Sequence, residues 1–297
     1  MNILIAPNDY YVMPSIVLLQ SLFDVTEEKL DIYMLYSDLS DSNMIRLEKF
    51  INKRGGSFHP IYISAEVFGD AHISCHITHE AYYRLLAQDL LPTELDRVLY
   101  LDADIIASQS VQNFYHMPFE NSAGVPCCYI VCEGPGVSKR LWDIYDNLEI
   151  PYEYPYFNSG VLLINLSYLR ENYDTKTTLD FVDKMGEKLS NHDQDTLNAL
   201  FYDKVKYMDW HIYNQTILHI ANKYEAKLRL KNARIIHYAG PDKPWYFNYS
   251  SWYFNEFWKY ARRAGYRKLY TQIKAKRMIW LAKRYAYNFL HKCRNNK

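Results

Sequence analysis

The sequence predicts an α/β domain with a mostly parallel, Rossmann-like central sheet, followed by a basic helical appendage. Three observations predict it. Strand-like and helix-like segments alternate over the first 110 of 297 residues. The apolar run "RVLYLDADIIAS" (97–108) is continuous enough to be buried on both faces, yet carries Asp102 and Asp104. Charge is also split along the chain. Residues 255–297 hold 13 Lys/Arg and one acidic residue, against 21 basic and 33 acidic residues in the other 254. This divides the chain into a domain over 1–253 and a tail over 254–297.

The elements follow in order. "NILIA" (2–6) is a first strand, followed by a helix from Met13 to Phe23. "DIYMLYSD" (31–38) is a second strand. In "SDSNMIRLEKFINKRGG" (40–56) a polar cap, apolar Met44, Leu47, Phe50 and Ile51 and a Gly-Gly stop define a helix. "FHPIYIS" is the third strand, "THEAYYRLLAQDLLP" (78–92) a helix capped by Thr78, and 97–107 the fourth strand. Strands spaced by helices in this way give βαβ units and a parallel sheet. Further on, "FNSGVLLINLSYL" (157–169) reads as a strand entered through a glycine turn. "KTTLDFVDKMGEKL" and "HDQDTLNALFYD" (192–203) are helices, and "NARIIHYAGPDKPW" (232–245) is a strand ending in a histidine and a Gly/Pro loop.

Composition narrows the class. Hydrophobic residues make up 49% and charged residues 23%, with a mean hydropathy of −0.35, as in soluble globular proteins. Twenty-nine tyrosines offer apolar bodies with polar handles. Five cysteines without CxxC spacing argue against a disulfide framework or a zinc site, and free thiols suit a reducing cytoplasm. "MNILIAPNDY" lacks a basic leader, and the Val12–Phe23 run is too short to span a bilayer.

Burying an unpaired carboxylate costs several kcal/mol, so Asp102 and Asp104 need a partner. Two apart on a strand, they point to one side, at the carboxyl end where open α/β sheets bind ligands. Such a pair suits a divalent metal, Mg²⁺ or Mn²⁺, or general acid/base work. His237, also at a strand's end, is placed to complete a Mn²⁺ sphere. A lone histidine there is more often a hydrogen-bonded core residue. Next to it, Gly240 permits close backbone approach and Lys243 supplies a point charge for phosphate. Metal and lysine together neutralise the charge that grows on a departing pyrophosphate. In "HDQD", Asp193 would serve as a helix N-cap, which leaves Gln194 unexplained.

At this point the chain resembles glycosyltransferase family 8, the retaining GT-A enzymes that include bacterial lipopolysaccharide α-galactosyltransferases and glucosyltransferases. The resemblance rests on "MNILIAPNDYY", "HITHEAYYRLLAQDLLP", "DRVLYLDADII", "FNSGVLLINL", "DQDTLN" and "HYAGPDKPW", which occur in family order across residues 1 to about 245. It implies a GT-A fold and a UDP-sugar donor. By it Asp102, Asp104 and His237 would hold Mn²⁺ (with Mg²⁺ as the substitute). Ala6, Asn8, Asp9 and Tyr11 would hold the uridine, and Asp102 and Ala103 would touch the nucleotide. Arg84 would bridge donor sugar and acidic motif, and Asn158, Asp193 and Gln194 would line the sugar. Gly240 and Lys243 would bind the pyrophosphate, and His76 would face the acceptor. The family commonly has an acidic residue at Asn8. For Asn8 itself, a simple turn after the first strand is the plain alternative.

A retaining transfer needs a group on the β-face of the anomeric carbon. Glutamine is a poor nucleophile, so the expectation is front-face attack by the acceptor hydroxyl with UDP taking its proton, against a covalent route through Asp193. In the tail, Ala275–Leu290 reads as an amphipathic helix. Met278, Ala282, Tyr285 and Phe289 form a stripe, and Lys276, Arg277, Lys283 and Arg284 lie opposite. That pattern suits a membrane surface, and docking on the catalytic domain is the competing use. A basic tail also suits nucleic acid, which is set lowest, so no nucleic-acid partner is expected.

The sequence is therefore read as a metal-dependent hexosyltransferase. It would move galactose or glucose from a UDP-sugar to a saccharide acceptor, lipid- or protein-linked, at the inner face of the cell membrane. Its rivals are a non-catalytic UDP-sugar or glycan-binding module and a sugar nucleotidyltransferase. The latter should carry a Gly-rich phosphate loop that "APNDYYVMPS" lacks.

Overall fold

The computed structural model describes residues 1–64, 67, 80, 82–121, 123–133, 139–217, 222–249 and 251–295. Its strands are β1 (Asn2–Ile5), β2 (Asp31–Tyr36), β3 (Ser57–Tyr62), β4 (Arg97–Leu101), β5 (Ile105–Ala107), β6 (Tyr129–Glu133), β7 (Phe157–Asn165), β8 (Val205–Met208), β9 (Gln215–Thr216) and β10 (Ile235–His237). The large sheet has the order β3-β2-β1-β4-β7-β6-β8, and a small one has the order β5-β10-β9. In the large sheet only β7 runs against the rest, antiparallel to both β4 and β6. The order reverses direction between β1 and β4, so their carboxyl ends open a crevice.

Residues alternate across the large sheet. Leu4, Val98, Tyr100 and Leu162 join one core, while Ile3, Ile5, Leu99, Leu101 and Leu163 join the core on the other face. The sheet is thus buried on both sides, as its apolar runs predict. The helix Val12–Val25 covers the second face and is buried from Pro14 to Leu22. Its proline stands in the first turn, where no helical hydrogen bond is lost.

Four elements differ from the sequence reading. The run 97–107 is two strands in two sheets, because the chain turns at Asp102–Asp104 and leaves β4 for β5. The 78–92 segment is, where described, a 3-10 turn (Tyr83–Leu86) followed by the short helix Ala87–Leu90. The 232–245 strand shrinks to Ile235–His237, since Asn232 ends the helix Lys223–Asn232. Gly160 lies inside β7 and not in a turn before it, and Leu166 begins a helix. There Val131 pairs with Leu162 but Cys132 pairs with Asn158, so β7 bulges by three residues, 159–161.

The residues after 253 begin inside the body. Phe254, Phe257, Trp258, Tyr260 and Ala261 of the helix Phe254–Arg263 are buried in a third cluster with Val17, Ile106 and Ile236. The Trp258 indole N–H also donates to Pro244 O at 2.8 Å, tying this helix to the loop that carries Lys243. The final helix, Arg267–Asn295, packs through Leu269, Tyr270 and Ile273, and Arg277 Nε donates to Tyr249 O at 2.8 Å. Beyond that anchor Met278 and Ile279 are 58% and 59% exposed. Among the described residues no helix is long and apolar enough to cross a membrane.

If the helix Phe254–Arg263 is core, Trp258→Ala should cost about 3–5 kcal/mol in urea unfolding. A loss under about 1 kcal/mol would mark it as an appended element.

Candidate active site

The turn that ends β4 builds the site. Asp102 N donates to Gly160 O at 2.9 Å on β7, and β5 then pairs antiparallel with β10, setting His237 opposite Ile105. Tyr238 N donates to Asp104 O at 3.0 Å. Two sheets thus bring Asp102, Asp104 and His237 together, with one ligand atom from each inside a 4.8 Å span. The carboxylates converge because the chain changes sheets between them, and not because they share one face of a strand.

The charges are arranged around that trio. His237 Nε2 lies 3.2 Å from Asp104 Oδ1 and 3.7 Å from Asp102 Oδ2. Lys243, swung back by the positive φ of Gly240 (90°), pairs its ammonium with Asp104 Oδ2 and donates to Tyr238 O at 2.9 Å. Burial alone would raise the Asp104 carboxyl, but the imidazole and ammonium overcome it and hold it below the usual carboxylate range. Arg84, buried, spans the site. Its Nη2 lies 3.0 Å from Asp102 Oδ1 and its Nε 3.2 Å from Asp193 Oδ2, and its Nη1 donates to Ser159 O at 2.7 Å. Burial works against its charge, and the two carboxylates more than restore it. Tyr100 adds its ring under the guanidinium, 4.3 Å from Cζ to centroid, and donates its hydroxyl to Asp102 Oδ1 at 2.8 Å.

Asp193 is not the helix cap. His192, at φ 55°, holds that position, and Asp193 begins the helix Asp193–Phe201. Its carboxylate turns inward to Arg84 and accepts from Ser159 Oγ at 2.9 Å. Burial pushes its pKa up to about 6, with Arg84 opposing and Asp102 adding to the rise. Gln194 Oε1 accepts from Asn158 Nδ2 at 2.7 Å and Ser159 N at 3.2 Å, and its Nε2 donates to the Tyr156 hydroxyl at 3.1 Å.

Ala6, Asn8, Tyr11, Arg84, Tyr100, Asp102, Ala103 and Asp104 line one cleft at the β1/β4 switch point. Asn8 also accepts from Tyr11 N at 3.3 Å, so it is a turn residue and a cleft residue at once. Burial pushes the Tyr11 hydroxyl up to about 12. Asp9 does not join the cleft lining. It is exposed and accepts from Ser40 N and Asn43 Nδ2, both at 2.9 Å, at the start of the helix Asp41–Asn52. Gly240 is exposed and acts by turning the chain. His76 and Thr78 lie outside the described residues.

The sequence reading missed Ser159, Gly160, Tyr100 and Asn214. For Gly160 the signal existed, since a glycine inside a strand marks close approach. A methyl on Gly160 would collide with the His237 ring and stand 2.6 Å from Asp102 Oδ2. Two carboxylates, an imidazole and a glycine that keeps their meeting point open are a donor set fitted to a hard divalent cation.

A family model for glycosyl transferase family 8 matches residues 2–248. The chain belongs to that family. General stress protein A of Bacillus subtilis is 26% identical over 245 residues, 79% of this chain and 82% of that protein. The lipopolysaccharide 1,2-glucosyltransferase of Escherichia coli is 33% identical over 184 residues, 57% of this chain and 51% of that protein. The chain thus spans about half the length of that transferase. The galactosyltransferase LgtC, solved with donor and acceptor sugar analogues, superimposes with a TM-score of 0.72 at 22% identity, over 89% of this chain and 96% of that one. The fold is therefore GT-A. Family 8 and GT-A members commonly use a divalent metal, which agrees with the donor set above.

Two predictions follow from this geometry. Gly160→Ala should leave a folded protein whose Mn²⁺ affinity falls at least tenfold by direct titration. Unchanged affinity would place the cation elsewhere. Asp193 titrates near 6 when folded but near 3.8 in a model peptide. Its proton is therefore held more tightly in the native state, and that stabilisation is present below pH 4 and lost as pH rises through 6. Asp193→Asn should flatten the stability–pH profile between 4 and 7 by about 2–3 kcal/mol, read by urea unfolding. A slope equal to wild type would mean that Asp193 titrates normally.

Proposed function

We propose that this family 8 chain transfers a hexose, galactose or glucose, from a UDP-sugar to a saccharide acceptor with retention and with Mn²⁺ (or Mg²⁺) as cofactor. The observation that carries the reading is the convergence of Asp102, Asp104 and His237, flanked by Lys243 and Arg84, at the mouth of the β1/β4 crevice. In this reading those three residues hold the cation, which supplies charge neutralisation for a departing diphosphate. Ala6, Asn8 and Tyr11 take the uridine, with Asp9 acting from outside the cleft lining. Asp102 and Ala103 take the nucleotide, Gly240 and Lys243 the pyrophosphate, and Asn158, Asp193 and Gln194 the sugar. His76 faces the acceptor.

Arg84 offers its guanidinium where negative charge gathers and keeps Asp193 in place. The Asp193 carboxylate is engaged by Arg84 and Ser159, and the Gln194 carbonyl already accepts two hydrogen bonds. The Gln194 oxygen and Asp193 Oδ2 are thus committed to these partners, which favours front-face attack by the acceptor hydroxyl, with proton transfer to the leaving diphosphate, over the covalent route through Asp193. The acceptor would be a lipopolysaccharide core, a capsule or teichoic intermediate, or a glycoprotein glycan.

The tail reading follows from exposure. Arg277 is turned to the body while Met278, Ile279 and Ala282 face outward, which favours an external surface over docking for this part of the stripe. A peripheral position on the inner face of the membrane through 275–290 is the proposal, with 1–253 as the catalytic unit and the helix Phe254–Arg263 as its packed extension.

Incubation with UDP-galactose, UDP-glucose, UDP-GlcNAc and GDP-mannose, with and without Mn²⁺, tests the chemistry. Slow Mn²⁺-dependent release of UDP from one hexose donor, lost in Asp104→Ala, is the expected result. Metal binding without release from any donor would point to a strictly acceptor-gated enzyme or to the binding-module reading. For the tail, Met278→Glu with Ile279→Glu should abolish co-flotation with anionic phosphatidylglycerol vesicles, and equal flotation would remove the membrane proposal.

A further inference from the structure

His237 offers two nitrogens, and only Nε2 faces the carboxylates. How it is presented to them depends on the hydrogen bond made by the other. In this chain the answer can be read from backbone groups, which can only donate. Ser159 N–H points at Gln194 at 3.2 Å, so the atom there is the carbonyl Oε1. Gly160 N–H points at Asn158 at 3.1 Å, so that atom is Oδ1. Asn158 Nδ2 then donates to Gln194 Oε1 at 2.7 Å, consistent with both.

The remaining assignments are forced. Asn214 meets Asn158 Oδ1 at 2.9 Å, so the meeting atom is its Nδ2. Its Oδ1 is left facing His237 Nδ1 at 2.9 Å, and that nitrogen must carry the hydrogen. At the other end, Gln194 Nε2 donates to the Tyr156 hydroxyl at 3.1 Å, and Tyr156 donates to Asp195. Asp195 also receives Asn191 N at 2.7 Å. Every donor in the series points the same way, from His237 through Asn214, Asn158, Gln194 and Tyr156 to Asp195. Asn214 and Asp195 are both 0% exposed and His237 is 2% exposed, so solvent does not substitute for these partners.

We propose that Asn214 is a positioning residue for the metal site. It closes a one-directional hydrogen-bond series that ends at the buried Asp195 carboxylate, passes through the sugar-facing Asn158 and Gln194, and fixes a hydrogen on His237 Nδ1, so that Nε2 is the nitrogen turned to the carboxylates and offered to the cation. The inference rests on the metal-dependent reading above and deepens it, since the residues facing the donor also decide how the imidazole is presented. It makes cation affinity sensitive to a side chain that touches neither cation nor sugar. Second-sphere partners of this kind typically change metal affinity 10–100-fold.

The first test uses metal-free wild type labelled with ¹⁵N-histidine, with the His237 signals assigned by their loss in His237→Gln. Long-range proton–nitrogen correlations should show hydrogen on Nδ1. In Asn214→Ala the hydrogen occupancy of Nδ1 should fall. A wild type whose Nδ1 carries no hydrogen overturns the proposal without any variant having to fold. An unchanged pattern in Asn214→Ala overturns the role of Asn214.

The second test titrates Mn²⁺ directly, by electron paramagnetic resonance of the free ion. Asn214→Ala should bind 10–100-fold more weakly, whereas Asn214→Asp, which keeps an acceptor for Nδ1–H, should recover most of the loss. Equal losses in both variants would make Asn214 a packing residue only and overturn the proposal. Absence of Mn²⁺ binding by wild type would instead strike the metal reading, while the tautomer measurement stands independently.

Discussion

Mutual repulsion among closely held carboxylates is the constraint around which the rest is arranged. Charges about 5 Å apart repel by roughly 3–4 kcal/mol at an effective dielectric near 20. Asp102, Asp104 and Asp193 all crowd this region, the last two nearly buried. The protein answers with a cation for each gap: Arg84 between Asp102 and Asp193, Lys243 against Asp104. A site balanced in this way is still rich in hard oxygen donors. In the proposed reading Lys243 and Arg84 serve stability and phosphate chemistry with the same charge.

Packing distant from the cleft sets these charges in place. The β4-to-β5 turn needs two sheets to define it, and β10 is held in the small sheet by β5 and β9. Lys243 reaches Asp104 from a loop whose Pro244 carbonyl is fixed by Trp258. A helix assigned by charge to a tail thus controls one arm of the site. Its basic residues are spaced so that one face is aromatic and buried, which a charge count over 255–297 does not register.

Much of the site was legible because chemistry clusters in short motifs. The acidic pair, His237, Lys243 and the polar start of the 193–201 helix could each be named from residue type and from position at a strand or helix end. The alternation of strands and helices gave the parallel sheet for the same reason. Partnerships between distant segments were not legible. Nothing local in "YNQT" marks Asn214, whose role exists only once β7, β10 and the 193–201 helix meet. The Asp102–Asp104 turn was hidden because its flanks are equally apolar on both sides, so periodicity carried no sign of a change of sheet. Asp193 read as a cap because helix starts attract aspartate, and only the presence of Arg84 redirects it.

The three-residue bulge in β7 has a consequence for how such a site diversifies. By leaving the ladder with β6 at residues 159–161, the strand releases main-chain groups that pairing would otherwise consume. Ser159 O receives Arg84, Ser159 N and Gly160 N orient two side-chain amides, and Gly160 O anchors the start of the acidic turn. These contacts are made by atoms common to every residue, so point substitution does not rewrite them unless it alters the backbone path. Sequence drift can therefore retune what the cleft accepts through its side chains while the reference frame for the charges persists. Inheritance of that frame lies in strand register, and the change able to break it is a slip or deletion within 157–162.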